Sequence, residues 1–211
     1  MRNLVSGTGI STLFSCFVLL VFAPLAKAQS VELMPGSERF FLDFQALSFF
    51  DEGRHVSVFT RARATAEYRE TSTDLFSGAY LNYTTSTGIG GSVIGRIASN
   101  SSGVDAGIHF FKANGTIMIF ALPSVNINKD LLYSWFSIFR YTPALKNDWK
   151  LYSSLELFSA FGENGHLSSV QRIRLGLDFK RSQFGAAINM RQSPFSETDI
   201  NPGIFIRKQF N

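Results

Sequence analysis

The chain has 211 residues, of which 45% are apolar and only 17% charged, and its net charge is +4. That length suits one domain with a sizeable core. The 22 phenylalanines and 17 glycines exclude disorder and a solvent-exposed helical bundle, and the weak charge excludes a nucleic-acid footprint.

Residues 1–28 read as a secretory signal peptide. Arg2 supplies the positive start, Leu13 to Ala23 is apolar apart from Ser15, and Ala26-Lys27-Ala28 is a cleavage site before Gln29. A single membrane anchor is the alternative, but the apolar stretch falls short of the roughly 20 residues a spanning helix needs, and Pro24 follows it. Cleavage also removes Cys16, the only cysteine. The exported chain, 29–211, therefore has no disulfide, thiolate metal site or cysteine nucleophile. No residue pattern calls for a cofactor or a metal.

From there on the sequence repeats segments of about 10–14 residues with a two-residue period, each closed by a polar turn. In 55–68, Val56, Val58, Thr60, Ala62, Ala64, Ala66 and Tyr68 alternate with His55, Ser57, Phe59, Arg61, Arg63, Thr65 and Glu67. In 170–180, Ile173, Leu175, Leu177 and Phe179 alternate with Arg172, Arg174, Gly176, Asp178 and Lys180. In 149–161, Leu151, Leu155 and Leu157 oppose Lys150, Tyr152, Ser154 and Glu156. The period predicts strands near 39–50, 54–69, 74–85, 88–99, 103–113, 116–126, 131–143, 149–162, 169–180, 184–193 and 202–210. Asn114-Gly115 is a type I′ hairpin signal. Connections at 51–54, 86–87, 114–115, 146–148 and 181–183 look short. Those at 70–72, 100–102, 127–130, 162–168 and 194–201 look longer.

Long dyad-repeat strands and alternating short and long connections behind a signal peptide resemble the bacterial outer-membrane β-barrel class. A sheet in lipid has to close, because an open edge leaves backbone groups unpaired in hydrocarbon. The resemblance implies an all-β, closed antiparallel transmembrane barrel with an even strand count. Eleven strands are legible, and parity places a further one at 30–34, before Pro35-Gly36. Twelve is the expected count and ten the alternative. The end of the chain resembles the C-terminal assembly signal of such barrels: Asn201, Gly203, then Ile204, Ile206 and the final aromatic Phe210. It departs from that signal in Lys208 and the extra Asn211.

If Ile204, Ile206 and Phe210 face lipid, the same split sends a charged set into the lumen. It comprises Asp43, Arg61, Arg63, Glu67, Arg96, Asp105, His109, Arg140, Glu156, Arg172, Arg174, Asp178, Asn189, Arg191 and Arg207. Eight arginines against five carboxylates favour anions, unless they pair and fill the interior. Strands 116–126 and 131–143 are apolar on both faces, so periodicity leaves their facing open. Tyr68, Tyr83, Tyr133, Trp135, Tyr141 and Trp149 suit interface girdles.

His166-Leu167-Ser168, placed in a loop, resembles the His-x-Ser element of outer-membrane phospholipases and lipid A deacylases. In those families histidine activates serine for ester hydrolysis. They follow the serine with asparagine, where Ser169 stands here. His109 reads as a lumen residue rather than a ligand. The glycines at 88–91 lack the ending of a phosphate loop.

The leading expectation is an integral barrel of a Gram-negative outer membrane, acting as a porin-like passive channel for small solutes or as a structural or binding barrel. Its partners would be outer-membrane lipid, lipopolysaccharide and the barrel-assembly machinery. A lipid-modifying hydrolase using His166 and Ser168 is one alternative. A soluble secreted barrel binding an apolar ligand, with the faces reversed, is the other.

Overall fold

A computed structural model describes residues 28–69, 73–99, 101–127, 132–194 and 196–210. The expected signal peptide therefore lies outside the described residues, save Ala28. The described chain forms twelve strands: β1 (Ala28–Pro35), β2 (Arg39–Phe49), β3 (Val56–Glu67), β4 (Thr73–Thr84), β5 (Ile89–Ala98), β6 (Ser101–Ala113), β7 (Ile117–Asn126), β8 (Tyr133–Tyr141), β9 (Trp149–Gly162), β10 (Gly165–Phe179), β11 (Ser182–Gln192) and β12 (Asp199–Phe210). Each pairs antiparallel with its neighbours in sequence. β1 pairs with β12 to close the ring, with Gln29 opposite Phe210 and Leu33 opposite Ile206. The strand expected at 30–34 is real and supplies the seam.

The seam is also stitched at its far end. Asn201, buried in β12, accepts from the backbone N–H of Glu38 (3.1 Å) and Arg39 (3.3 Å) and donates to the Arg39 carbonyl (3.1 Å). Those groups belong to the β1–β2 connection and the start of β2, so one amide ties the last strand to the first hairpin.

Connection lengths do not alternate as the sequence suggested. On the side expected to carry long loops, residues 99–100 and 163–164 join their strands, while the opposite side includes the connection 142–148. Polar residues misled the periodicity there. Ser101, Ser102, His166 and Ser168 pair through their backbones and extend β6 and β10 into segments that look like loops. Gly165 makes the tight β9–β10 turn possible by adopting φ 101°, a region that side chains avoid.

The type I′ expectation at Asn114-Gly115 is also corrected, since neither residue is among those with positive φ. Instead the Asn114 side chain accepts from the N–H groups of Thr116 (2.8 Å) and Ile117 (2.7 Å), an Asx turn. Positive φ at two successive residues falls on Asn147 and Asp148 (53° and 64°), just before β9, and on Lys180 and Arg181 (48° and 68°), between β10 and β11. At the β2–β3 connection Asp51 accepts from the N–H groups of His55 and Val56, and these bonds hold its carboxyl below the usual range.

Strand register decides the two faces. From Gln45 the inner row runs through Arg61, Gly78, Arg96 and Gly103. In the other direction Glu32 leads through Arg207, Gln183 and Asp178 to Lys150. The outer face is apolar: Leu81, Val93, Ile97, Ile108, Leu175, Ile204 and Ile206 are all exposed. A soluble barrel needs the reverse, so the reading with exchanged faces is overturned. The facing of β7 and β8 is resolved too: Met118, Phe120, Leu122, Phe136 and Ile138 point inward, and Ile117, Ile119 and Phe139 outward. Pro123 lies within β7 and cannot donate to the ladder, and the β6–β7 pairing is interrupted between Gly107–Ser124 and Phe110–Ala121.

Aromatic residues sit at both ends of the apolar face. Tyr133, Trp135 and Phe161 are exposed at one end, and Tyr83 and Tyr141 at the other. Trp149, at the same end as Tyr141, stacks on Phe179 with centroids 4.6 Å apart. Amphipathic rings at the two boundaries of a hydrocarbon slab are stable for the reason that favours them in membrane proteins generally.

Candidate functional site: a charged belt across the lumen

All fifteen residues expected from the sequence to face inward lie on inward register positions: Asp43, Arg61, Arg63, Glu67, Arg96, Asp105, His109, Arg140, Glu156, Arg172, Arg174, Asp178, Asn189, Arg191 and Arg207. The structure brings only part of this set together. Arg61, Arg140, Glu156, Arg172, Arg174 and Arg207 line one cavity with Glu32, Asp43 and Tyr152. Arg63 joins them through its pairs with Asp43 and Glu156.

Arg61 is the centre. It donates from Nε and Nη2 to the two oxygens of Asp43 at 2.8 and 2.7 Å, a bidentate fork. Its remaining nitrogen, Nη1, donates to Glu156 at 2.7 Å. Asp43 stands on β2, Arg61 on β3 and Glu156 on β9. β3 and β9 are six strands apart in a ring of twelve, so this bond crosses the lumen between opposite walls. Arg63 makes the same crossing, and Arg172 donates to Glu156 at 2.5 Å from the adjoining strand. Arg174 reaches Glu32 at 2.8 Å across two intervening strands. Arg207 donates to Ser30, Gln45 and the hydroxyl of Tyr152. Apolar inward side chains adjoin the belt: Met34, Phe41, Tyr152, Ala187 and Phe205 form one cluster, and Tyr80, Ile94, Leu122, Phe136 and Ile138 another. The guanidinium carbons of Arg172 and Arg174 lie 5.2 and 5.8 Å from the Phe41 ring centroid. The cavity left among the belt side chains has a volume of about 20 Å³, room for about one water.

The other predicted lumen residues stand apart from this belt. Arg96 pairs with Asp105 at 2.7 Å, and Asn126 also donates to Asp105. Glu67 pairs with Arg39, and Asp178 accepts from Gln183. Arg191 pairs with Asp74 at an exposed rim. His109 is buried, with its ring nitrogens 2.8 Å from the hydroxyls of Ser92 and Thr84 and its ring stacked on Phe120. It is a lumen residue held by its neighbours. Among the described residues no group of histidines, cysteines and carboxylates is arranged to hold a metal.

The expected imbalance of eight arginines to five carboxylates is corrected. Among the described residues nine arginines and Lys150 point inward, against eight carboxylates at 32, 43, 67, 74, 105, 156, 178 and 199. The periodic reading missed Arg39, Asp74 and Asp199 because each lies near a strand end, where a polar residue passes for a turn, and Glu32 because its strand rests on parity alone. The imbalance is concentrated in the belt instead, where six guanidiniums (61, 63, 140, 172, 174 and 207) meet three carboxylates (32, 43 and 156).

Nor does the His166-Leu167-Ser168 loop exist as expected. These residues belong to β10, where the register shifts between His166 and Ser168. Ser168 lies opposite Ala160 on the inner side, and His166 opposite Phe161 on the outer side. His166 Nε2 is therefore bonded not to Ser168 but to Ser169 Oγ, at 2.7 Å, and Ser169 is bonded in turn to Ser159 at 2.9 Å.

The chain has the outer-membrane barrel fold. It is similar to the KdgM porin with a TM-score of 0.53 and 8% identity, over 87% of this chain and 99% of that one. The same porin in complex with disordered oligogalacturonate gives 0.52 and 7%, over the same shares. LpxR from Salmonella typhimurium gives 0.46 and 9%, again over 87% and 99%. No protein-family model and no curated protein matches this chain. With lipid-compatible residues outside, charges inside and no free edge, the described chain is a transmembrane barrel of the outer membrane.

Proposed function

We propose that this barrel is a narrow passage for small anions, with the charged belt as its constriction and the Arg61–Glu156 bridge as the bar across it. The observation that carries the reading is the belt's excess of guanidinium over carboxylate. Fixed positive charge between low-dielectric walls concentrates anions and repels cations. A wide, freely open pore is not what this packing supports, so the expected conductance is small. Planar-bilayer recording on purified protein tests it. Small steps that favour anions are expected, with the preference lost in the double variant Arg172→Glu, Arg174→Glu. Silence of both proteins at every voltage would leave a purely structural or binding barrel.

In this reading residues 1–28 direct export, one barrel domain remains, and its surroundings are outer-membrane lipid and lipopolysaccharide. Gly203, Ile204, Ile206 and Phe210 form the signal handed to the barrel-assembly machinery. Supporting that role, Phe210 is exposed on the outer face and pairs with Gln29 at the seam. A chain lacking Phe210 and Asn211 is expected to accumulate unassembled and protease-sensitive. Assembly at the normal level would discard the signal. A hydrolase would have to use Ser169 rather than Ser168, and among the described residues no carboxylate or amide is bonded to His166 to orient it.

A further inference from the structure

We infer that the belt holds one small inorganic anion of the halide class, bound by Arg140 and Arg207 beside the Tyr152 hydroxyl. The inference rests on the same belt as the anion passage and adds a resident ion to it. Asp43 and Glu156 are taken up by Arg61, Arg63 and Arg172, and Glu32 by Arg174 at 2.8 Å, with Arg207 at 3.9 Å. Arg140 has no carboxylate partner among the described residues. Its guanidinium carbon instead lies 5.7 Å from the Tyr152 ring centroid.

Three buried nitrogens in this region, Nε of Arg140, Arg172 and Arg207, have no hydrogen-bond acceptor among the described residues. Arg207 is itself only 6% exposed. Arginine does not relieve such a position by losing its proton, because its pKa lies too high. A buried cation without a counter-charge is costly, and an unsatisfied donor adds to that cost. Aromatic faces soften the field but carry no net charge to balance it. An anion does both jobs: it balances the charge and accepts from the free N–H groups. The cavity volume of about 20 Å³ points to a small ion, since room for about one water suits a halide better than a sugar acid or a phosphate ester.

The test uses the full barrel in detergent, with chloride or bromide replacing gluconate at constant ionic strength. Thermal stability should rise saturably with halide, and chloride NMR lines should broaden in the presence of protein. Arg140→Gln should weaken the midpoint of both effects at least tenfold. Should that variant fail to assemble, Arg140→Lys, which keeps the charge but not the planar fork, should assemble and bind more weakly than the native chain. An unsaturable salt response, or the same midpoint in native and variant proteins, would overturn the site. The two readings fail separately. Saturable halide binding by a barrel that never conducts removes the passage and keeps the site; anion-selective current without saturable binding does the reverse.

Discussion

Replacing Glu156 by glutamine is expected to cost about 3–5 kcal/mol of barrel stability, because it breaks a buried charge network from one side. Glu156 is only 6% exposed and receives Arg61 at 2.7 Å, Arg172 at 2.5 Å, and Arg63. The amide keeps the shape, removes the charge and brings two N–H donors toward guanidiniums that have only N–H to offer. Among the described residues Asp43 is then the sole carboxylate left to Arg61 and Arg63. Urea titration of the protein folded in lipid vesicles measures the loss. Adding Arg172→Gln should recover much of it, since the two sites share one ion pair and their effects are not additive. The same substitution removes the group that bonds strands on opposite walls, so single-channel current should rise. A loss below about 1 kcal/mol, with unchanged current, would mean that the bridge is neither a brace nor a bar.

Where the period of two was unbroken, the sequence was enough to place the chain. Arg61, Arg63, Arg172 and Arg174 alternate with small or apolar residues across whole strands, and each lies on the inward face. What the sequence did not reveal was contact between strands distant in the chain. Nothing local links Arg61 to Glu156, 95 residues away, and only closure of the ring brings them together. Glu32 was hidden for a related reason. Its strand was inferred from parity alone, and its partner Arg174 lies 142 residues on. The β10 start failed differently. His166 and Ser168 look like loop residues because they are polar, yet at a strand end the backbone ladder asks nothing of side chains. β7 and β8 defeated periodicity outright, since lumen and lipid both accept apolar groups and no alternation survives.

Arginine on the outer face should discriminate the membrane assignment more sharply than any other substitution. Ile173 lies near the middle of β10, opposite Leu155 and Ile188 on the outer side, with the Trp149–Phe179 stack toward one end of the strand and Phe161 and His166 toward the other. Arginine near the midplane of a bilayer costs about 2–4 kcal/mol on a barrel's lipid face, falling to about 0–1 near the interface. Ile173→Arg should therefore destabilise the folded barrel in vesicles by that larger amount, and Ala64→Arg, closer to a strand end, by less. The inward control is Thr65→Arg, whose neighbour Ala64 faces out. Gly176, though inward, is unsuitable as a control. A Cβ there would stand 2.0 Å from the Phe184 carbonyl oxygen, where β10 and β11 approach closely through Gly176 and Gly185, so any side chain disrupts it for reasons unrelated to lipid. In detergent micelles, which deform around a charged side chain more readily than a bilayer, the gap between Ile173→Arg and Thr65→Arg should narrow. Equal penalties for Ile173→Arg and Thr65→Arg in vesicles would mean that the apolar face does not meet hydrocarbon.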